Sequence, residues 1–296
     1  MRVLHLFNWK LKDIIPFLGL IHEQGFEAIQ INPIQPLKDE SSLEWWMSYQ
    51  PIGFRIGNRF GSKKELKEFT KKAKECNLKI IADVVCNHMG GKDDGSLYPH
   101  EKVDTVLLNN SHFWKEPRNI NDWNNRYEVI NHCLGLPSLN LNNKKLQIII
   151  LDFLKQLIEY GIEGFRFDAA KNIGLPHENN SFWNIISEIL KQEKVITYGE
   201  IIFEKESIIY EYCKYIDVLT ENILLDSPKI FKFIESHDTY LEFGYTKPIP
   251  SYQINERYQE LTKTNDKTLY YARPFDDAWQ EPKIKEIHKQ KLKIKK

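Results

Sequence analysis

The sequence predicts an α/β fold, a (β/α)8 barrel with a small inserted domain after the third strand. Three observations carry that prediction. Eight short apolar runs, at residues 3–9, 28–33, 79–85, 164–169, 196–201, 216–221, 231–237 and 268–272, are mostly continuous rather than alternating in polarity. Parallel strands covered on both faces read this way. Helical apolar spacing fills most of the intervals between them. One interval differs: from His88 to Leu139 the chain is rich in Asn, Asp, Gly and Trp and sustains no period. A segment that long is a poor single loop, so it reads as an insertion.

In chain order, helices are expected at 13–24 and 63–76, on either side of the second strand. The clearest helix follows the insertion. Leu146, Ile149, Ile150, Phe153, Leu154, Leu157 and Ile158 form a core-facing stripe, and Gly161 suits its C-terminal cap. Further helices are expected at 181–192 and 254–264. Between Glu221 and Phe231 there is hardly room for one, so one outer helix is expected to be missing. Residues 281–296 are lysine-rich and read as a solvated tail rather than an eighth helix. The expected organisation is a barrel at 1–88 and 139–280, an inserted domain at 89–138 and a tail at 281–296. With two helices short, the outer faces of strands 216–219 and 269–271 should be exposed, and self-association would cover them.

Composition sets limits on function. With 296 residues, 42% of them hydrophobic, the chain can bury a full core. Lysine plus arginine (41) balances aspartate plus glutamate (41), so no bulk field favours nucleic acid or an anionic membrane, and no run has the length of a membrane span. The four cysteines are widely spaced and form no CxxC pair, which argues against a zinc site and gives no sign of a disulfide framework. The N-terminus reads as a strand without a leader's apolar region, so a cytoplasmic location is expected.

The site of such a barrel lies at the C-terminal ends of its strands. Those ends carry Asp83, Asn87 and His88 (third strand), Arg166 and Asp168 (fourth), Glu200 (fifth), and His237 and Asp238 (seventh). A lone carboxylate beside an apolar run is most simply a structural ion pair. Four at the same end of four strands point to chemistry, because buried charge is costly.

The segments that hold them are Asp83-Val84-Val85-Cys86-Asn87-His88, Gly164-Phe165-Arg166-Phe167-Asp168-Ala169-Ala170-Lys171, Tyr198-Gly199-Glu200-Ile201 and Phe233-Ile234-Glu235-Ser236-His237-Asp238. In that order they resemble the four signature regions of the α-amylase family of retaining glycoside hydrolases. Trp45-Trp46-Met47-Ser48-Tyr49-Gln50-Pro51 and Gly57-Asn58-Arg59-Phe60-Gly61 resemble the stretch between strands two and three of bacterial and animal α-amylases. The similarity runs from Val3 to about Trp279. It implies a (β/α)8 TIM barrel with a domain B, and the chain ends where the family would continue into a C-terminal β-sandwich.

By this resemblance Asp168 matches the nucleophile, Glu200 the general acid/base and Asp238 the third carboxylate. A retaining enzyme needs two carboxyl groups about 5 Å apart. The ends of adjacent strands, roughly 4.8 Å apart, can provide that. Asp168 is expected to stay ionised beside Arg166, and Glu200 to have a raised pKa. His88 and His237 match residues that bond the sugar at the cleavage subsite. Tyr49 matches the platform beneath it, with Gln50 alongside, and Lys171 matches a leaving-group-side contact. Trp45 and Trp46 suit either glucan stacking or plain packing. The implied activity is endo-acting hydrolysis of α-1,4-glucan in starch, glycogen or maltodextrin by double displacement. A transglycosylase, an exo-acting hydrolase of short maltooligosaccharides, and a truncated glucan-binding protein or inactive remnant stay open.

No organic cofactor is implied. Family members often hold Ca²⁺ between domain B and the barrel, using the asparagine that matches Asn87. The carboxylate of their Gly-Leu-x-Asp stretch is here Ser138, and the histidine four residues past the nucleophile is Asn172. Losing a carboxylate weakens a site for a hard cation. Calcium is therefore expected to matter less here, unless Glu128 compensates.

Overall fold

The computed structural model describes residues 1–241, 249–274 and 276–294. Eight parallel strands close into a barrel in sequence order: β1 (Arg2–His5), β2 (Ala28–Ile31), β3 (Lys79–Val84), β4 (Gly164–Phe167), β5 (Ile196–Glu200), β6 (Asp217–Thr220), β7 (Ile230–Phe233) and β8 (Thr268–Tyr271), which pairs with β1. Each overlaps one of the eight apolar runs. Among the described residues, the longer helices that follow strands on the outside are α1 (Leu18–Gln24), α2 (Lys63–Glu75), α3 (Lys144–Glu159), α4 (Phe182–Gln192), α5 (Glu206–Tyr212), α6 (Ser251–Thr264) and α7 (Pro282–Ile294). Among the described residues, no helix is long and apolar enough to cross a membrane.

Local chemistry sets these boundaries. α2 opens on a capping box, in which Ser62 accepts from the Glu65 backbone and the Glu65 carboxylate accepts from the Ser62 backbone at 2.8 Å. Its buried residues Leu66, Phe69, Thr70 and Ala73 recur at helical spacing. α3 starts from Asn143, whose side chain accepts from Lys145 and Leu146. Past its end Gly161 has φ +91°, and a Cβ there would lie 2.7 Å from Thr70 Oγ1, so both conformation and space call for glycine.

Inside the barrel, Val3, Ala28, Ile81, Tyr198, Leu219, Phe231, Phe233 and Leu269 form one cluster. Their strand neighbours Leu4, Ile29, Ile80, Phe165, Val218 and Tyr270 pack outward into the larger core beneath the helices. Two residues further along the inward faces stand His5, Gln30, Asp83, Arg166 and Glu200. The polar floor of the site is thus the next layer of the apolar barrel core.

The insertion has short helices at Thr105–Leu108 and Arg126–Asn131, and isolated bridges in place of a sheet. Val103, Leu107 and Phe113 join the barrel's outer core. As expected, no helix lies between β6 and β7 among the described residues; turns at 221–229 take its place, with Leu225 buried beneath them.

Two expectations fail. Ile216, Val218, Leu219, Leu269, Tyr270 and Tyr271 are not exposed, each being at most 4% accessible. Leu219 and Leu269 point into the barrel, while Tyr270 packs edge-on against Tyr258 of α6 with ring centroids 4.9 Å apart. The strand faces therefore leave no uncovered barrel wall for self-association to cover. Residues 282–294 are helix α7, not a solvated tail. Ile284, Ile287 and His288 make a narrow buried stripe, and His288 lies between the Gln24 carbonyl (2.8 Å) and the Tyr258 hydroxyl (3.0 Å). So few inward residues among lysines gave a weak periodic signal.

If α7 closes the barrel wall, Ile284→Ala should cost about 2–5 kcal/mol, the usual range for emptying a buried Ile site. Urea unfolding checks this; a midpoint unchanged from wild type would restore the reading of a solvated tail.

Candidate active site

Arg166, on β4 and only 1% exposed, organises the C-terminal mouth of the barrel. Its Nη1 donates to both oxygens of Asp83 and to Asp168 Oδ1, all at 2.8 Å, and its Nη2 donates to Glu200 Oε1. One guanidinium thus holds carboxyls from the ends of β3, β4 and β5. Asp83 also accepts from the Tyr49 hydroxyl at 2.9 Å. The Tyr49 ring stacks on His237 at 5.2 Å, and His237 stacks on Phe7 at 4.5 Å. His88 Nε2 lies 3.0 Å from the Tyr49 carbonyl and 4.0 Å from Asp168 Oδ2; His237 Nε2 lies 3.4 Å from Asp238 Oδ2. Just past Asp168, Ala169 has φ +47°, a left-handed conformation unusual for alanine, and its N–H donates to Glu200 Oε2 at 3.2 Å. That strained turn links the ends of β4 and β5.

Above this floor opens a cleft of about 720 Å³, walled by Trp45, Trp46, Tyr49, Gln50, His88, Asp168, Lys171, Glu200 and Asp238 among others. Every residue expected at the site reaches the cleft or its floor except Asn87, which lines a different cavity. The alternatives for the tryptophans divide: Trp45 packs against Phe7, Tyr49 and His237, while Trp46 is 42% exposed at the rim. Sequence reasoning missed Trp123 and Phe203. Trp123, from the insertion, is half exposed and lies over the Lys171 ammonium at 5.1 Å, and Lys171 donates to the Ile202 carbonyl at 3.0 Å. Both missed rings sit in loops without periodicity; only the shape of the insertion brings Trp123 to the cleft.

The electrostatics correct one expectation. Burial pushes the pKa of Asp168 well up, against the pull of Arg166, and the charges of Glu200 and Asp83 add to the rise. Asp83 is pushed up to about 6 by burial, again against Arg166. Burial, then the charge of Glu200, pushes Asp238 well up. Pairing Asp168 with Arg166 alone overlooked the other three carboxyls. Asp83, Asp168 and Asp238, buried close together around this site, thus hold protons more tightly than isolated carboxylates do. The histidines behave oppositely: burial lowers His88 to about 4 and His237 well below its ordinary value, so both rings are neutral near pH 7.

The sequence profile of the α-amylase catalytic domain matches residues 10–243. The chain belongs to the α-amylase family. It is 29% identical over 310 residues to an α-amylase of Clostridium acetobutylicum, an alignment covering 92% of this chain and 40% of that protein. It is 26% identical over 302 residues to an α-amylase-related protein of Drosophila auraria, covering 88% of this chain and 60% of that one. The chain thus spans less than two thirds of the length of these curated relatives. Among solved structures, the α-amylase of Geobacillus thermoleovorans complexed with acarbose superposes with a TM-score of 0.78 at 19% identity, covering 99% of this chain and 78% of that one. At that identity the likeness speaks for the fold, and the closed eight-stranded barrel agrees with it.

Removing the central cation should expose the cluster's dependence on it. Arg166→Met is expected to lose about 3–5 kcal/mol of stability at pH 7, as when one partner of a buried charged set is deleted. Without Arg166 the folded-state carboxyl pKa values rise further above their unfolded values. The folded state then binds more protons than the unfolded one, and stability falls as pH rises. Acidification from pH 7 toward 5 should therefore restore part of the loss. Urea unfolding at both pH values checks this; a deficit independent of pH would show that Arg166 acts by packing alone.

Proposed function

We propose that this chain is a retaining, endo-acting hydrolase of α-1,4-glucosidic bonds in starch, glycogen or maltodextrin. The observation that supports it most is the Arg166 cluster, in which carboxyls from adjacent strands meet at the floor of a cleft edged by aromatic rings. In the first step an Asp168 oxygen attacks the anomeric carbon from below while Glu200 gives its proton to the departing glycosidic oxygen. The bond to that oxygen breaks and a glycosyl ester on Asp168 forms. Water then enters, Glu200 takes its proton, and the hydroxyl displaces Asp168, so that two inversions give net retention. Arg166 favours the anionic form of Asp168 needed for attack and for leaving. Asp238 holds sugar hydroxyls most tightly as positive charge develops on the ring, acting as a stabiliser rather than a proton carrier. Neutral His88 and His237 can each donate or accept a hydrogen bond at the same subsite. Trp46, Trp123 and Phe203 offer apolar faces on which glucose rings can stack.

Reducing sugar should be released from amylose, and NMR of fresh product should show the α-anomer first. Asp168→Asn and Glu200→Gln should each lower kcat by several orders of magnitude, and the double variant should be little worse than either, because residues acting as a unit are not additive. An initial β-anomer would overturn the mechanism. No release by a folded protein that still binds maltooligosaccharide would leave a binding protein instead.

A further inference from the structure

A second cavity, of about 730 Å³, lies where the insertion meets the barrel. Asn87, after β3, lines it; this side chain is buried, and neither its oxygen nor its nitrogen has a partner. Asn172, four residues past Asp168, lines it too, and its carbonyl accepts from the Lys115 ammonium at 3.2 Å. Lys115 belongs to the insertion, where its backbone N–H donates to the Ser138 carbonyl at 2.8 Å. The next residue, Leu139, donates to the Asn87 carbonyl at 2.7 Å. Two neighbouring backbone rungs therefore bring Lys115, Ser138 and Asn87 to one place, with Asn172 opposite.

Asn87, Ser138 and Asn172 stand at positions where family resemblance implies calcium, and the groups present do not fit it. Ca²⁺ takes six to eight oxygens, carboxylates prominent among them. Here the fully buried Ser138 hydroxyl donates to the Leu136 carbonyl at 3.2 Å, and the Asn172 carbonyl is engaged by an ammonium. Of the carboxylates on the cavity wall, Glu116 is exposed and Glu178 is gripped by Arg126 at 2.7 and 2.8 Å. Glu128, the residue expected to compensate, instead accepts from the backbones of Asn121 and Asp122 within the insertion. Two cations, Lys115 and Arg126, line the cavity already. Among the described residues, no group of three or more His, Cys, Asp or Glu could hold a metal ion.

We propose that the ammonium of Lys115 takes the place of a divalent cation at this junction, tying the insertion to the barrel through the Asn172 carbonyl. A tethered cation is present at every ionic condition, so the join does not depend on free metal. It also fixes the turn that runs on from Asp168, since Asn172 lies in the short 3-10 segment Ala170–Asn172 directly after it.

Thermal unfolding of the full chain tests this without reference to activity. Wild-type protein should melt within about 1 °C in EDTA, in buffer and in millimolar CaCl₂, and calorimetric titration with CaCl₂ should detect no stoichiometric site. Lys115→Met keeps the apolar stem and removes the charge; its melting temperature should fall by several degrees, at about 2–4 °C per kcal/mol, with no recovery in calcium. Lys115→Glu puts a carboxylate beside the Asn172 carbonyl, and calcium should raise its melting temperature more than that of wild type. A wild-type melting temperature that drops in EDTA and returns with Ca²⁺ would overturn the proposal. So would Lys115→Met melting like wild type, or Lys115→Glu responding to calcium no more than wild type does. A calcium response of the wild type would overturn the proposal even if neither variant folds.

Discussion

One guanidinium buried in a ring of carboxyls constrains the whole upper half of this barrel. Arg166 sits in register with Asp83 on one neighbouring strand and Tyr198 on the other, with Glu200 two residues beyond Tyr198. A slip of one residue in either pairing would turn these side chains out among the helices and leave a charge there without a partner. The apolar parity below, with Ile81 and Tyr198 inward and Phe165 and Phe167 outward, demands the same register. Charge and hydrophobicity thus agree on one alignment of three strands. The same alignment gathers the acids around a single cation, with the proton affinity that follows.

How far such a structure can be read from its sequence depends on where each residue's partners come from. The strands were legible because a parallel strand covered on both faces is apolar along its length. α3 was legible because seven apolar residues mark its face. The carboxyls were legible because a strand end is a local feature. α7 was not, since Ile284, Ile287 and His288 are its few buried positions among the described side chains, set amid lysines, and α5 is too short to show a period. Trp123, Phe203 and Lys115 were not, because loops have no period to reveal direction; only the folded insertion determines what Trp123 and Lys115 face. The rise in the pKa of Asp168 was not legible for a related reason. Sequence proximity gives Arg166 as its partner, but three further acids arrive from other strands.

The closure between β8 and β1 carries a consequence for how the chain is made. A ribosome delivers β1 and α1 before the rest of the barrel, and both must wait for partners more than two hundred residues away. β1 has an open edge until β8 emerges, and His288 meets Gln24 and Tyr258 only after α7 follows. Contacts so distant in sequence form slowly, and a parallel sheet with a free edge is a template for the wrong strand in the meantime. Until β8 has been made, the growing sheet therefore keeps a strand edge open to mispairing.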